Sequence, residues 1–322
     1  MRRRLFALGL LCVLVSLGFA GGATAGESLT ELISQGVRQA NKHGSAVVTL
    51  EGTYEVPETI AISSHRATEF DRLSGVLTID ARGAVFDVSA DVGFLLEGTP
   101  QWRGRNARIL WDGGRIQCDG DNVAFRCLDL MSSTLHPHSI ERADVGIQVG
   151  IYRSWSENCG FGGLPGREMY GRRCRRILEF YGREQTWELL GSKPEDPLTR
   201  RLKYESFAGT TVADIIVAGA IDPEVDGQVL YASSAAIYRS SIARIRGNTP
   251  NGGGSLIWSD CPYWRATTIR DIAVETANKK DMPRSVAIRF AKPLTARPDE
   301  IRSVWWMGGM AGKVEYATKE NG

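Results

Sequence analysis

The chain has 322 residues, with 39 lysines and arginines against 37 acidic residues, a formal net charge of +2. Three of those arginines open the stretch MRRRLFALGLLCVLVSLGFAGGATAGES, and without them 36 basic residues face 37 acids. Such a balance argues against a nucleic-acid partner, which needs a concentrated positive face, and no later segment is apolar for long enough to cross a membrane.

Arg2, Arg3 and Arg4 form a basic n-region, Leu5 to Phe19 an apolar stretch, and Ala23-Thr24-Ala25 a small-residue cleavage site. That order is expected of a signal peptide over residues 1–25, removed on export, which makes the protein secreted or periplasmic with no stable membrane insertion afterwards. The remaining ~300 residues suit one large all-β domain. Five cysteines remain, Cys118, Cys127, Cys159, Cys174 and Cys261. Export permits disulfides, with Cys118–Cys127 and Cys159–Cys174 the sequence-local pairs. Buried unpaired thiols are the alternative, and an odd count leaves at least one thiol free.

Residues 26–44 read as a helix. Leu29, Leu32, Ile33, Val37 and Ala40 share one face. Ser28 and Glu31 have capping-box spacing, and Gly44 suits the stop. From residue 45 the period changes. AVVTLEG, TIAIS, GVLTIDARG, AVFDV, GFLLEG, ARILWDGG, GIQVG, DIIVAG, QVLYAS, SLIWSD and VAIRF are short runs rich in Val, Ile and Leu, punctuated by Gly, Asp, Asn or Ser. These are strand and turn signals. TVADIIVAG (211–219), SIARIRG (241–247) and TIRDIAVE (268–275) align with Val212, Ile242 and Ile269 in register, about 30 and 27 residues apart, a solenoid spacing. One architecture accommodates these features: an all-β, single-chain parallel β-helix over 45–322. Stacked coils then form a continuous core, and the N-terminal helix caps the first of them. Residues 162–210 break the pattern. They hold a predicted short helix around Arg175–Leu190 and a Pro-Glu-Asp-Pro loop, and read as a partly helical insertion projecting over one side face, where a groove wall is expected.

The cap helix followed by SAVVTLEGTYEVPETIAIS (45–63), and DVGIQVG (144–150) followed by YRSWSENCGF (152–161), resemble the pectin-lyase-like superfamily of right-handed parallel β-helix proteins. The resemblance is one of architecture over most of the chain. It implies a right-handed coil and action on an acidic polysaccharide. The reactions it implies are a polysaccharide lyase or uronate epimerase first, a glycoside hydrolase or a non-catalytic glycan-binding envelope scaffold as alternatives. The Asn-Thr-Asp, Asp-Asp and Gly-His-Gly signatures of the superfamily's pectin hydrolases are absent, as is the Arg-x-Pro-x-x-Arg core of its pectate lyases.

Elimination beside a uronate carboxylate needs donors that neutralise the carboxylate and a positioned base; hydrolysis needs two carboxylates. Arg153 and Glu157, in YRSWSENC, are candidate catalytic groups, with Tyr152 and Trp155 as a sugar platform; an extended segment would put Arg153, Trp155 and Glu157 on one face. A buried tryptophan beside a surface ion pair is the other reading. His138, in TLHPHSIERAD, titrates near neutrality and is a candidate base. With Pro137 it matches the Asp-Pro-His-Asp motif of mannuronan epimerases, which have aspartates where this chain has His136 and Ser139, so His138 alone carries over from that resemblance. Arg239 in YRSS and Asp260 in WSDCPYW extend the catalytic set, and Trp258 the binding set. Arg172, Arg173 and Arg175 belong to an arginine cluster whose forks suit carboxylates or sulfates. Asp112, Asp119 and Asp121 sit at turns and are either a calcium site (Ca2+ takes several oxygen ligands), a hydrolytic pair, or corner residues bonding their own backbone.

Overall fold

A computed structural model describes residues 28–98, 107–194, 207–218, 225–248, 254–275, 286–306 and 311–318. The leader at 1–25 and most of the Pro-Glu-Asp-Pro loop lie outside the described residues. Helix α1 (Leu29–His43) starts on the capping box, Ser28 Oγ accepting from Glu31 N at 3.2 Å while Glu31 Oε2 accepts from Ser28 N at 3.0 Å. It stops at Gly44, whose φ of 85° is left-handed. Its apolar face is buried, and the close approach needs Gly36: a Cβ there would lie 2.1 Å from Val48 Cγ2 of the first strand.

Among the described residues the strands form three sheets, and every ladder between them is parallel. Sheet A holds Ser45–Val56, Val76–Val88, Arg108–Asp112 with Arg115–Cys118, Thr134–His136 with Ser139–Glu141, Gly160–Gly162 with Met169–Arg172, then Thr211–Ala218, Ser241–Asn248, Thr268–Glu275 and Glu300–Trp306. Sheet B holds Ile60–Ser63, Val92–Glu97, Val123–Leu128, Val145–Gly150, Arg176–Tyr181, Leu230–Ser233, Ser255–Ser259, Val286–Phe290 and Val314–Tyr316. Sheet C is small: Ser156–Glu157, Phe207–Ala208 and Ile237–Tyr238. The chain visits A, then B, then the C side, and returns to A one coil on. That is compatible with a β-helix or solenoid, because strands one coil apart, not consecutive ones, are hydrogen-bonded. The expected register holds, with Val212 beside Ile242, Ile242 beside Ile269, and Ile269 beside Ile301.

Inward side chains stack coil upon coil. Phe94 lies on Phe125 at 5.1 Å between ring centroids, with Trp111 edge-on to both. Corners stack too. Ser132, Asn158, Gly209, Arg239 and Ala266 are all left-handed, with φ between 48° and 61°. The first four each donate their N–H to a carbonyl of the next coil, at 2.8 to 3.2 Å. A non-glycine residue there costs about 1–2 kcal/mol; the inter-coil hydrogen bonds offset it. A second left-handed column, Asp214, Arg244, Asp271 and Ser303, bends the late strands of sheet A where Gly113-Gly114 bends an early one.

Two expectations need correction. Residues 160–181 form an ordinary coil, so the departure from it is confined to the 163–168 loop and to the segment after Tyr181. The predicted helix over Arg175–Leu190 is a strand, Arg176–Tyr181, then α2 (Arg183–Leu190). In RILEFY, Leu178 and Phe180 point into the core while Glu179 and Tyr181 join an outer polar network, so burial on a period of two overrode the helical reading. The disulfide pairs do not form either. All five cysteines from Cys118 to Cys261 are free and buried. Burial pushes the Cys118 and Cys261 thiols up to about 12 and Cys127 well above its usual value.

Candidate functional site: an arginine-lined cleft on sheet B

The outer face of sheet B carries one residue per coil in register: Leu95, Arg126, Gln148, Glu179, Tyr231, Trp258, Arg289 and Glu315. Parallel pairing puts such neighbours about 4.8 Å apart. Beside the early part of this ladder stands α2. It docks because Gly150 has no side chain: a Cβ there would meet Thr186 Cγ2 and Oγ1 at 2.8 Å. The fully buried Thr186 hydroxyl accepts from Ile151 N at 3.1 Å, and Trp187 Nε1 donates to Tyr152 O at 2.8 Å.

Between helix and sheet lies a cleft of about 400 Å³, lined by Arg66, Glu97, Arg126, Tyr152, Arg153 and Ser192 among others. Arg66 Nε donates to Glu97 Oε2 at 2.9 Å, and this bond holds its guanidinium above the usual range. Arg126 Nε donates to the neutral Gln148 Oε1 at 2.7 Å. Burial pushes Arg126 below the ordinary arginine value, against the pull of Glu179. Arg153 lies over the Tyr152 ring at 4.7 Å. Among the described residues neither Arg126 nor Arg153 has a carboxylate at salt-bridge distance, Glu179 and Asp129 acting on them only from farther off. Among the residues lining the cleft, three guanidinium groups therefore share one acid.

Asp129 aims two of the lining residues. It is 1% exposed and left-handed, and its carboxylate accepts from Tyr152 N and Arg153 N at 2.8 Å and Ser154 N at 3.2 Å. Burial raises its pKa, opposed by those three amides. The same anchor makes 152–154 a bend rather than an extended run. Arg153 therefore enters the cleft, while Trp155 donates to Glu157 Oε2 at 3.1 Å outside it.

The other expected residues are dispersed. Trp258 presents its ring to Tyr231, with 4.4 Å between centroids and 3° between planes, and Arg176 covers the far face of Tyr231 at 3.8 Å. Both faces of Tyr231 are thus occupied, and Trp258 stacks within the ladder instead of offering that face to a sugar. Arg175 is bonded to Asp144 at 2.5 and 3.0 Å and to Glu179 at 3.3 Å. Arg172 pairs with Glu141 at 3.7 Å on sheet A, and Arg173 sits exposed at a left-handed corner. Arg239 stands in the corner column, away from the cleft. Asp260 accepts from Ser234 N at 2.7 Å and pairs with Lys292 at 3.1 Å. His138 is exposed at a turn of sheet A, 5.8 Å from the Tyr170 ring. Asp112 pairs with Arg167 at 3.1 Å, while Asp119 and Asp121 are exposed at a corner held by Asn122 Oδ1. Among the described residues no group of three or more His, Cys, Asp or Glu could hold a metal ion.

Arg66, Glu97, Arg126, Gln148, Asp129 and Glu179 were not expected from the sequence. The signal was there: VAFRCL, GIQVG and ILEFY each carry one polar residue in an apolar run, and aligning the runs superposes Arg126, Gln148 and Glu179. Comparison with protein-family models, curated proteins and solved structures gives no match for this chain.

Proposed function

We propose that the protein is an exported right-handed parallel β-helix that binds an acidic polysaccharide in the cleft between sheet B and α2 and cleaves it by β-elimination. One observation carries this reading: Arg66, Arg126 and Arg153 surround a cleft that holds a single carboxylate. A guanidinium without an acid partner in a half-buried site gains more from an incoming carboxylate than it would in water. Arg126 and Arg153 are the groups assigned to the uronate carboxylate, whose neutralisation acidifies the adjacent C–H. Tyr152 is assigned the proton. Its phenolate takes it from that carbon, the carbon–oxygen bond to the next sugar breaks with its electron pair, a double bond forms, and the departing oxygen takes a proton back. The Tyr152 hydroxyl stands at the cleft wall, 3.2 Å from Ser192 Oγ.

The test incubates the purified protein with alginate, pectate and hyaluronan while following unsaturated-uronate absorbance. Absorbance should rise with at least one polymer. It should vanish in Arg126→Ala, and in Tyr152→Phe with binding retained. Reducing ends without that absorbance would establish hydrolysis instead, and saturable binding with neither signal a glycan-binding scaffold. No binding to any of the three would overturn the reading.

A further inference from the structure

The ladder through the cleft passes Arg126, Gln148 and Glu179 on three successive coils. Gln148 is 4% exposed, and its amide is used at both ends. Its oxygen accepts from Arg126 Nε at 2.7 Å and its nitrogen donates to Glu179 Oε2 at 3.0 Å. Glu179, 1% exposed, is already served by Arg176 at 2.8 Å, the Tyr181 hydroxyl at 2.8 Å and Arg175 at 3.3 Å. Its ion pairs are made on its own coil, and it acts on Arg126 only from a distance.

A carboxylate at position 148 would make the same bond to Arg126 and close it into an ion pair. An amide of the same size orients the guanidinium through Nε yet puts no carboxylate in contact with it, and among the described residues neither terminal nitrogen has a hydrogen-bond partner. We propose that Gln148 is the specificity-determining residue of the cleft: a neutral spacer that fixes Arg126 in place while reserving its charge for a carboxylate on the ligand. This rests on the acidic-polysaccharide reading for the ligand, but not for the state of Arg126. The charged and titratable groups around Gln148 are Arg126 on the preceding coil and Glu179 on the next, with Arg175, Arg176 and Tyr181 behind Glu179.

The isosteric change Gln148→Glu tests it. Binding of trigalacturonate and trimannuronate is measured by calorimetry from pH 5 to pH 8, with methyl-esterified trigalacturonate as the neutral control. Q148E should weaken the better acidic ligand at least tenfold at pH 8, and recover toward wild type as the pH falls and the introduced carboxyl takes a proton beside Glu179. Gln148→Met, which keeps the size and the charge of Arg126, should stay within about threefold of wild type. A purely structural role predicts the reverse: Q148M as damaging as Q148E, and no recovery at low pH. That result overturns the inference, as does unchanged affinity in Q148E at pH 8. If Q148E does not fold, the charge-conserving swap of Gln148→Glu with Glu179→Gln takes its place. If wild type binds neither uronate nor a hyaluronan oligosaccharide, the polysaccharide reading fails by itself. Phenylglyoxal labelling of Arg126, read by peptide mass spectrometry at pH 8, then decides: labelled in wild type and protected in Q148E supports the spacer, equal labelling rejects it.

Discussion

A single carboxylate, Asp129, gathers three consecutive amides and so decides where Tyr152 and Arg153 point. Its two oxygens divide the work, Oδ1 taking Tyr152 N and Ser154 N, Oδ2 taking Arg153 N. Asp129→Asn keeps the shape but sets an NH2 group against one of those donors. The loss should be about 1–3 kcal/mol in denaturant unfolding, the cost of an unsatisfied buried amide. The pH dependence has a definite sign. Burial raises the folded-state pKa above the ordinary aspartate value of 3.8, so the stability Asp129 contributes is full below that value and declines as pH rises through the raised one. Wild type should therefore lose stability relative to Asp129→Asn as the pH is raised across that interval. A constant difference between the two from pH 3 to pH 7 would show that Asp129 titrates normally.

The element that makes a cleft out of a flat sheet is α2, eight residues long with glycine at both caps and no side-chain cap bond. So short a helix is marginal alone, and its position rests on Thr186 over Gly150 and Trp187 on the Tyr152 carbonyl. Gly150→Ala places a methyl 2.8 Å from Thr186 and should push α2 outward. The expected outcome is faster hydrogen exchange across Arg183–Leu190, together with uronate binding weakened about tenfold, ~1.4 kcal/mol. Unchanged exchange would mean that the helix is held by something other than this contact. A short helix ending at Leu190 and projecting over a side face was expected from the sequence. Which face it covers was not legible, because its hydrophobic content is low and its only fully buried side chain is a threonine.

At the scale of the molecule, parallel coils share a core in which thiols serve as small apolar groups. Cys118, Cys127, Cys159, Cys174 and Cys261 should fail to react with a thiol reagent in native buffer at pH 8 and react in full in guanidinium. Any disulfide detected in the native protein by mass spectrometry would contradict this. Truncating a stacked core ring, Phe125→Ala, should cost about 3–5 kcal/mol, because coils above and below hold the cavity open. Much of this architecture could be read from the chain itself. The α1 caps, the strand runs, the Gly and Asp corners and the register of Val212, Ile242 and Ile269 are set by neighbours a few residues away or by a repeat. The site was legible only in part. Of the residues the sequence offered, Tyr152 and Arg153 line the cleft, while Trp258 stacks on Tyr231 and Arg175 pairs with Asp144 and Glu179. The sequence by itself determined which side chains face inward and where the coils turn, since alternation and turn chemistry are local. Which outward side chains become neighbours was decided only by the tertiary structure. Arg126 meets Gln148 across 22 residues, and Gln148 meets Glu179 across 31. Those separations are set by the length of each loop and by core packing, and neither is written in the residues that finally touch.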